Sequence, residues 1–203
     1  MAALDSQSPD GLLIAATLAG EREAFAHLVS RYHAALLKAA ISRLGRRELA
    51  EDAVQETFLC AHRWLHTYDS RFSFRTWLWT ILLNQCSRLA KREAKHSTLN
   101  ARTVPAQASK RDLGLEPQCP HSQPLERLLA RETSERLCEL LGKLPEPQAD
   151  ALRLRFFGEL TFPEIAAAMH CSEAGAKHRV KAGLIKLSEW LTEQSREKTT
   201  TKL

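Results

Sequence analysis

The sequence predicts an all-α protein of two small helical domains joined by a flexible linker. Proline is absent between residues 24 and 95, where the only glycine is Gly45. Four of the eight prolines then fall between residues 98 and 124, among serine, glutamine and lysine. Helical apolar spacing returns after this stretch, and alternating strand-like runs are almost absent. We therefore expect domains at residues 1–96 and 125–203, with the linker at residues 97–124.

The first domain contains four predicted helices. Asp10 is expected to cap the first helix. The second helix spans residues 21–44 with one apolar stripe and ends at Gly45. The third runs over residues 47–67, and the fourth over residues 75–95. The inner face of the fourth is predicted to carry Trp77, Leu78, Ile81, Leu82 and Leu89.

The second domain is predicted to end in a helix-turn-helix. Two helices, at residues 125–141 and 148–157, flank a break that contains two prolines. Thr161 and Glu164 are three residues apart, which predicts a capping box at the start of a short helix. After a turn, Ser172 is expected to cap a last helix that extends to about residue 190, with Ala176, Val180 and Leu184 inward.

The outer face of the last helix is strongly basic. Residues 177–186 contain four Lys or Arg residues and no acid. A recognition helix needs such a face to contact phosphates and base edges in the major groove. The alternative is a solvated basic face on an ordinary helix pair. The candidate contacts are Lys177, His178, Arg179, Lys181 and Lys186.

The fourth helix carries a second cationic face, made of Asn84, Arg88, Lys91, Arg92 and Lys95. Just before this helix, aromatic residues alternate with arginines over residues 68–75. Cations neutralise a nucleic-acid backbone and exposed rings stack on unpaired bases, so this combination suits single-stranded DNA. Alternatively, the aromatic residues belong to the core and the arginines are merely solvated.

An acidic patch on the third helix comprises Glu48, Glu51, Asp52, Gln55 and Glu56. A DNA-binding surface would avoid such a patch, which therefore favours a basic protein partner. The alternative is a solvated face with acids near the helix N-terminus.

Composition narrows the class of protein further. The 29 Lys and Arg residues against 24 Asp and Glu give a net charge of +5, which permits nucleic-acid binding without requiring it. Five scattered cysteines indicate reduced thiols, and His96, Cys119 and His121 fall short of a zinc site. We expect no metal and no cofactor. No apolar stretch approaches the length of a membrane span, so we expect a cytoplasmic protein without membrane insertion.

Two blocks of sequence resemble the extracytoplasmic-function (ECF) type of RNA polymerase sigma factor. Residues 50–58, the run Phe-Arg-Thr-Trp-Leu at residues 74–78 and Asn84 are similar to sigma region two. Residues 144–145, residues 164–166 and the helix over residues 172–187 are similar to region four. The two blocks occur in the expected order with a linker between them.

The resemblance implies a role for each surface. The segment that docks on the β′ clamp coiled coil of core polymerase matches Glu51, Asp52, Gln55, Glu56 and Phe58. The segment that melts and recognises the minus-ten element matches Arg71, Phe72, Phe74, Arg75, Trp77, Asn84, Arg88, Lys91 and Arg92. The reader of the minus-thirty-five element matches the last helix, which adds Ser172 and Glu173 to its basic residues. The implied partners are core polymerase, including the β flap, promoter DNA and an anti-sigma factor.

Three departures from the family pattern stand out. Ala-Gly-Ala occupies residues 174–176 and Ala-Gly-Leu residues 182–184, where relatives often have Gly-Thr-Val and Arg-Ala-Arg. Gly175 and Gly183 lower helix propensity by about 1 kcal/mol each. Arg88 stands where an acid is common. These differences predict altered upstream contacts and extra positive charge on the minus-ten face.

Two other classes of protein share parts of this pattern. A helix-turn-helix regulator that acts without polymerase would share the C-terminal motif, but it usually carries a sensor domain with strands. An enzyme would need a carboxylate cluster, a phosphate-binding loop or a nucleophile motif, and none occurs. We therefore expect a non-catalytic protein that directs promoter recognition, DNA melting and transcription initiation.

Overall fold

The computed structural model describes residues 7–100 and 136–200, with side chains described for residues 7–95 and 136–193. These residues form helices, turns and loops, without a strand. The chain divides into two compact units, Met1–Gly114 and Leu115–Leu203. The first unit contains α1 (Asp10–Leu18), α2 (Arg22–Leu44), α3 (Arg47–Trp64), a 3₁₀ turn (Leu65–Thr67) and α4 (Phe74–Asn100). The second contains α5 (136–143), α6 (Glu146–Phe156), α7 (Phe162–Ala168) and α8 (Glu173–Thr200).

The core of the first unit lies between α2, α3 and α4, with α1 packed on α2. As predicted, α2 ends at Gly45, whose φ of 68° is a left-handed conformation that glycine adopts without steric cost. This turn reverses the chain within two residues, so that α3 packs back along α2. Residues that are less than 1% exposed include Leu28, Leu36, Ala53 and Leu78.

The inner face of α4 differs from the prediction. Trp79 is 1% exposed and Cys86 is buried, whereas Trp77 and Ile81 are only half-buried. The buried face follows four-residue spacing from Phe74 through Leu78, Leu82 and Cys86, with Trp79 beside it. Apolar residues lie on both sides of this stripe, so periodicity alone did not separate position 77 from position 79. The helix also continues to Asn100, past the expected domain boundary at residue 96.

Asp10 does not cap α1, contrary to expectation. The N-cap is Pro9, and Asp10 is the first residue of the helix. Its carboxylate instead accepts hydrogen bonds from Arg31 and Tyr32 on α2. The residue therefore ties two helices together.

The second unit ends in the predicted helix-turn-helix. The Thr161–Glu164 capping box is confirmed: the Thr161 N–H donates to the Glu164 carboxylate at 2.9 Å. The cap at Ser172 is also confirmed, since its Oγ accepts from the Gly175 N–H at 3.1 Å. Arg153 on α6 is 1% exposed and donates to Asp150 at 2.9 Å, so the buried charge is paired.

Gly183 is required by packing rather than being a defect of α8. A Cβ built on Gly183 would lie 2.8 Å from Leu152 Cδ1 on α6, closer than carbon atoms approach. The contact face of α8 is Ala176, Val180, Gly183 and Leu187, while Leu184 is 43% exposed and does not point inward as predicted. The absent side chain at position 183 is what allows α6 and α8 to approach closely.

Some predictions fall outside the described residues. They include the linker beyond residue 100 and the first part of the helix predicted over residues 125–141. Cys119 and His121 also lie there. Cys86 and Cys138 are buried, and Cys60 and Cys171 are partly exposed; all four are free thiols. Within the described ranges, no helix is both long and apolar enough to cross a membrane.

Candidate functional site

An acidic wall stands on the exposed side of α3. Asp52, Gln55 and Glu56 are all exposed, one helical turn apart or less. Glu51 is also exposed, and its carboxylate accepts from Arg47 Nε at 2.7 Å. We call Glu51, Asp52, Gln55 and Glu56 the acidic wall. The geometry leaves three of these side chains directed at solvent, where a partner can reach them.

Phe58 lies on the buried side of α3 and is not one of the exposed residues of the acidic wall. Its side chain is 8% exposed. Its ring meets Phe25 edge-to-face, with centroids 6.5 Å apart, and stacks on His33 at 6.4 Å. Among the residues that the resemblance assigns to polymerase docking, Phe58 is therefore the one that supports the helix from within.

The acidic wall and the cationic face of α4 border a single groove. It encloses about 700 Å³, with Asp52, Gln55 and Glu56 on one side. The other side carries Arg88, Lys91, Arg92 and Lys95, and Leu59 and Leu89 line the groove. The sequence predicted the two charged faces separately. It could not predict that they border one groove, because that depends on how α3 packs on α4.

A second groove, lined mainly by apolar side chains, lies between α2 and α3. It encloses about 620 Å³. Its lining includes Phe25, Val29, Val54, Phe58 and Leu59, with His33, His62, Glu51 and Gln55 also present. Sequence analysis missed this groove. The one signal that could have indicated it is Leu59, an apolar residue next to the predicted inner face of α3, which is 53% exposed.

The cationic face of α4 projects into solvent as predicted. Asn84, Arg88, Lys91, Arg92 and Lys95 are all exposed. Arg88 donates to Gln85 Oε1 at 3.0 Å, which fixes its guanidinium near the groove. Nearby, Glu93 pairs with Arg46 at 2.9 Å and connects α4 to the turn before α3.

The segment before α4 presents one aromatic ring to solvent. Phe72 is 55% exposed, and the side chain of Arg71 is 83% exposed. Asp69 accepts from the Arg71 N–H at 3.0 Å and from its Nε at 2.8 Å, and these bonds hold the pKa of Asp69 below its usual value. The Tyr68 hydroxyl donates to the Phe72 carbonyl at 2.6 Å. Local hydrogen bonds therefore shape the turn that displays Arg71 and Phe72.

Four rings, which we call the ring cluster, support this turn. The ring centroid of Phe74 lies 5.8 Å from that of Tyr32, 5.7 Å from that of Tyr68 and 5.8 Å from that of Trp77. Phe74 is only 2% exposed, so it is not available to stack on a base as the resemblance implied. Trp77 and Arg75 are half-buried at the edge of the cluster. The core alternative raised by the sequence thus holds for Phe74 and not for Phe72.

The basic residues of α8 are spread between exposed and half-buried positions. Lys177, His178 and Lys181 are exposed, as are Ser172 and Glu173 at the helix start, while Arg179 and Lys186 are half-buried. Lys177 pairs with Glu173 at 2.7 Å and lies 5.8 Å from the centre of the Phe162 ring on α7. Lys177 therefore faces solvent and also contacts α7.

Two family models match the chain in the order of these two units. Residues 28–96 match sigma-70 region 2, and residues 134–187 match sigma-70 region 4. Together they cover more than half of the chain. The first match contains α3, most of α4 and the groove between them, and the second contains the helix-turn-helix.

Characterised relatives extend the similarity over nearly the whole length. The chain is 29% identical over 185 residues to RNA polymerase sigma factor NccH of Alcaligenes xylosoxydans xylosoxydans, covering 91% of the chain and 95% of that protein. It is 28% identical over 195 residues to RNA polymerase sigma factor CnrH of Cupriavidus metallidurans, covering 95% and 99%. The ECF RNA polymerase sigma-E factor of Haemophilus influenzae is 25% identical over 174 residues, covering 86% and 90%.

Solved structures show the same fold. The structure of CnrH in complex with the cytosolic domain of CnrY superposes with a TM-score of 0.67 at 26% identity, covering 93% of the chain and 99% of CnrH. The sigma factor RpoE in complex with the anti-sigma factor NepR from Bartonella quintana gives a TM-score of 0.65 at 21% identity, covering 83% and 96%. The second likeness concerns the fold alone.

Proposed function

The chain belongs to the extracytoplasmic-function type of RNA polymerase sigma factors, and from this premise we propose how its surfaces divide the work of initiation. A sigma factor brings core polymerase to a promoter. The observation that carries the proposal is the position of an acidic wall and a cationic face on neighbouring helices of one unit. Opposite charges at one groove suit one protein partner and one DNA partner.

The acidic wall of α3 is the proposed docking surface for core polymerase. Asp52, Gln55 and Glu56 are exposed and turned away from the core. The clamp coiled coil of β′ is the partner that family membership implies for this helix. Phe58 contributes from beneath by holding α3 against α2.

The start of α4 and its cationic face are the proposed site for the minus-ten element. Arg71 and Phe72 stand at the exposed tip of the turn, where a ring can stack on an unpaired base. Arg88, Lys91 and Arg92 follow along the helix to neutralise the backbone. The binding energy of melted DNA then offsets the cost of opening the duplex, while polymerase performs the chemistry in the cytoplasm.

The helix-turn-helix is the proposed reader of the minus-thirty-five element, and the β flap is its proposed polymerase contact. The exposed start of α8, at Ser172, Glu173 and Lys177, is the part of the helix that enters a major groove in such motifs. His178, Arg179, Lys181 and Lys186 add donors along the helix.

An anti-sigma factor is the proposed regulator. CnrH was solved with the cytosolic domain of a second protein bound to it. In the present chain the groove between α2 and α3 has an apolar floor and enough volume, about 620 Å³, to receive side chains of a docked helix. Occupation of this groove would cover Leu59 beside the acidic wall.

Co-elution with core RNA polymerase on size-exclusion chromatography tests the docking surface. Asp52→Arg/Glu56→Arg reverses two exposed carboxylates four residues apart on α3. Glu189→Arg/Glu193→Arg is the matched control, since it makes the same change of charge on exposed α8 positions with the same spacing. We expect the wild type and the control to co-elute and the α3 variant to be lost from the complex. Co-elution of the α3 variant would refute the docking surface; no co-elution of the wild type would favour a polymerase-independent DNA-binding regulator.

A further inference from the structure

Asp10 joins the start of α1 to α2 and belongs to neither the proposed docking surface nor the proposed DNA-binding surfaces. One carboxylate oxygen accepts from Arg31 and the other from the Tyr32 hydroxyl, both on α2. Arg31 also donates to the Ser8 carbonyl, so both sides of the start of α1 are attached to α2. The Asp10 side chain is 25% exposed and lies outside the cationic face.

Tyr32 connects this carboxylate to the proposed minus-ten site. Its ring, 6% exposed, is 5.8 Å from Phe74 in the ring cluster. Burial, followed by the hydrogen bond to Asp10, raises the pKa of Tyr32 to about 12, while nearby Arg75 acts in the opposite direction. Asp10 is therefore connected to the start of α4 through Tyr32, whose ring contacts Phe74 and whose hydroxyl also lies near Arg75.

The influence of Asp10 also reaches the turn before α4. Burial is the main cause that raises the pKa of Tyr68, and the negative charge of Asp10 adds to it. Tyr68 is the residue whose hydroxyl holds the Phe72 carbonyl at 2.6 Å. Asp10 is thus electrostatically coupled to two members of the ring cluster, and one of these holds the turn that displays Phe72.

We propose that Asp10 is a positioning residue for promoter melting, which holds Tyr32 and through it the ring cluster and the exposed turn at residues 69–73. The inference rests on the proposed function of that turn. Hydrogen bonds to an ionised carboxylate are about twice as strong as neutral ones, so this bond fixes the Tyr32 ring more firmly than an amide would. A turn that is ordered in advance loses less entropy when it captures a base, which favours the melted state.

The experiment compares full-length Asp10→Asn and Tyr32→Phe with Ile14→Val. Ile14 is 6% exposed on α1, so its truncation weakens the packing of the same helix without touching the carboxylate. Hydrogen–deuterium exchange of peptides covering residues 68–76 measures the order of the turn. Transcription by reconstituted holoenzyme is measured on a duplex promoter and on the same promoter with the minus-ten segment already opened.

We expect Asp10→Asn and Tyr32→Phe to exchange several-fold faster at residues 68–76 than the wild type. Their transcription should fall several-fold on the duplex and much less on the opened template, while Ile14→Val behaves as the wild type in both assays. Wild-type behaviour of Asp10→Asn, or equal losses on both templates, would overturn the proposal. So would the same pattern in Ile14→Val. Failure of the proposed function is distinguished by wild-type holoenzyme that transcribes neither template.

Discussion

At the scale of single residues, burial separates side chains that the sequence placed in one set. Phe72 and Phe74 are two residues apart, and both belong to the segment that resembles the minus-ten reader. Phe72 is 55% exposed and Phe74 is 2% exposed. Alternation along a short turn predicts opposite sides but not which side is inside, so only the packing of Tyr32 against Phe74 decided the assignment.

Alanine substitution should therefore affect DNA binding at position 72 and the stability of the fold at position 74. We expect Phe72→Ala to keep the stability of the protein and to weaken binding of the holoenzyme to single-stranded minus-ten DNA by about 1–3 kcal/mol, the value of one base–ring stack. Phe74→Ala should lower the free energy of unfolding by about 3–5 kcal/mol, because it removes a buried ring. Denaturant titration and fluorescence anisotropy measure the two effects. Equal stability losses would show that Phe72 is part of the core.

The raised pKa of Tyr32 predicts a loss of stability at alkaline pH. A pKa of about 12 in the folded protein against 10.0 in the unfolded chain means that the folded state keeps a proton which the unfolded state releases. Stability is therefore intact below pH 10 and falls as pH rises from 10 to 12, by about 2–3 kcal/mol from this residue. Urea titrations at pH 9 and 11.5 should show a smaller decrease for Tyr32→Phe. An equal decrease in both proteins would contradict the assignment.

At the scale of helices, the effect of a glycine depends on tertiary packing as well as on helix propensity. Gly183 was expected to be a cost to α8, and the structure shows that it permits the contact with Leu152 on α6. Gly11 on α1, in contrast, has open space where a Cβ would lie. Both are helical glycines, and only tertiary packing distinguishes them.

Gly183→Ala should destabilise the second unit and Gly11→Ala should not destabilise the first. The new methyl group at position 183 must displace Leu152, at a typical cost of about 1–3 kcal/mol for overpacking, which outweighs a gain of up to about 1 kcal/mol in helix propensity. Thermal denaturation of each variant measures the change. A stabilised Gly183→Ala would show that the contact between α6 and α8 has room for a methyl group at position 183.

The basic residues of α8 should differ from other lysines in their effect on DNA binding. Lys181 is exposed on α8, and Lys143 is exposed on the unrelated helix α5. We expect Lys181→Ala to weaken holoenzyme binding to duplex promoter DNA and to reduce the salt slope by about one, since one phosphate contact is lost. Lys143→Ala should leave the slope unchanged. Equal slopes for all three proteins would remove Lys181 from the interface.

At the scale of the whole molecule, the helical spacing of apolar residues and the positions of glycine and proline predicted the fold well. Helical spacing, Gly45 and the capping box placed the helix starts and the end of α2 within a few residues, because these signals act over a single turn. The end of α8 was predicted wrongly, since the helix continues to Thr200 and not to about residue 190. The grooves were not predictable, since the meeting of Glu56 with Arg88 depends on contacts between distant segments. For the same reason, the hydrogen bond between Tyr32 and Asp10 could not be predicted from the sequence.

We propose that this sigma factor directs initiation through its exposed surfaces on α3, α4 and α8. The most direct test is transcription of genomic fragments by core polymerase with and without the protein, followed by mapping of RNA 5′ ends. We expect new start sites that share two upstream sequence elements and that disappear with Arg88→Glu/Lys91→Glu, while that variant still co-elutes with core. An absence of new start sites, with polymerase and protein both active in binding, would contradict this role in initiation.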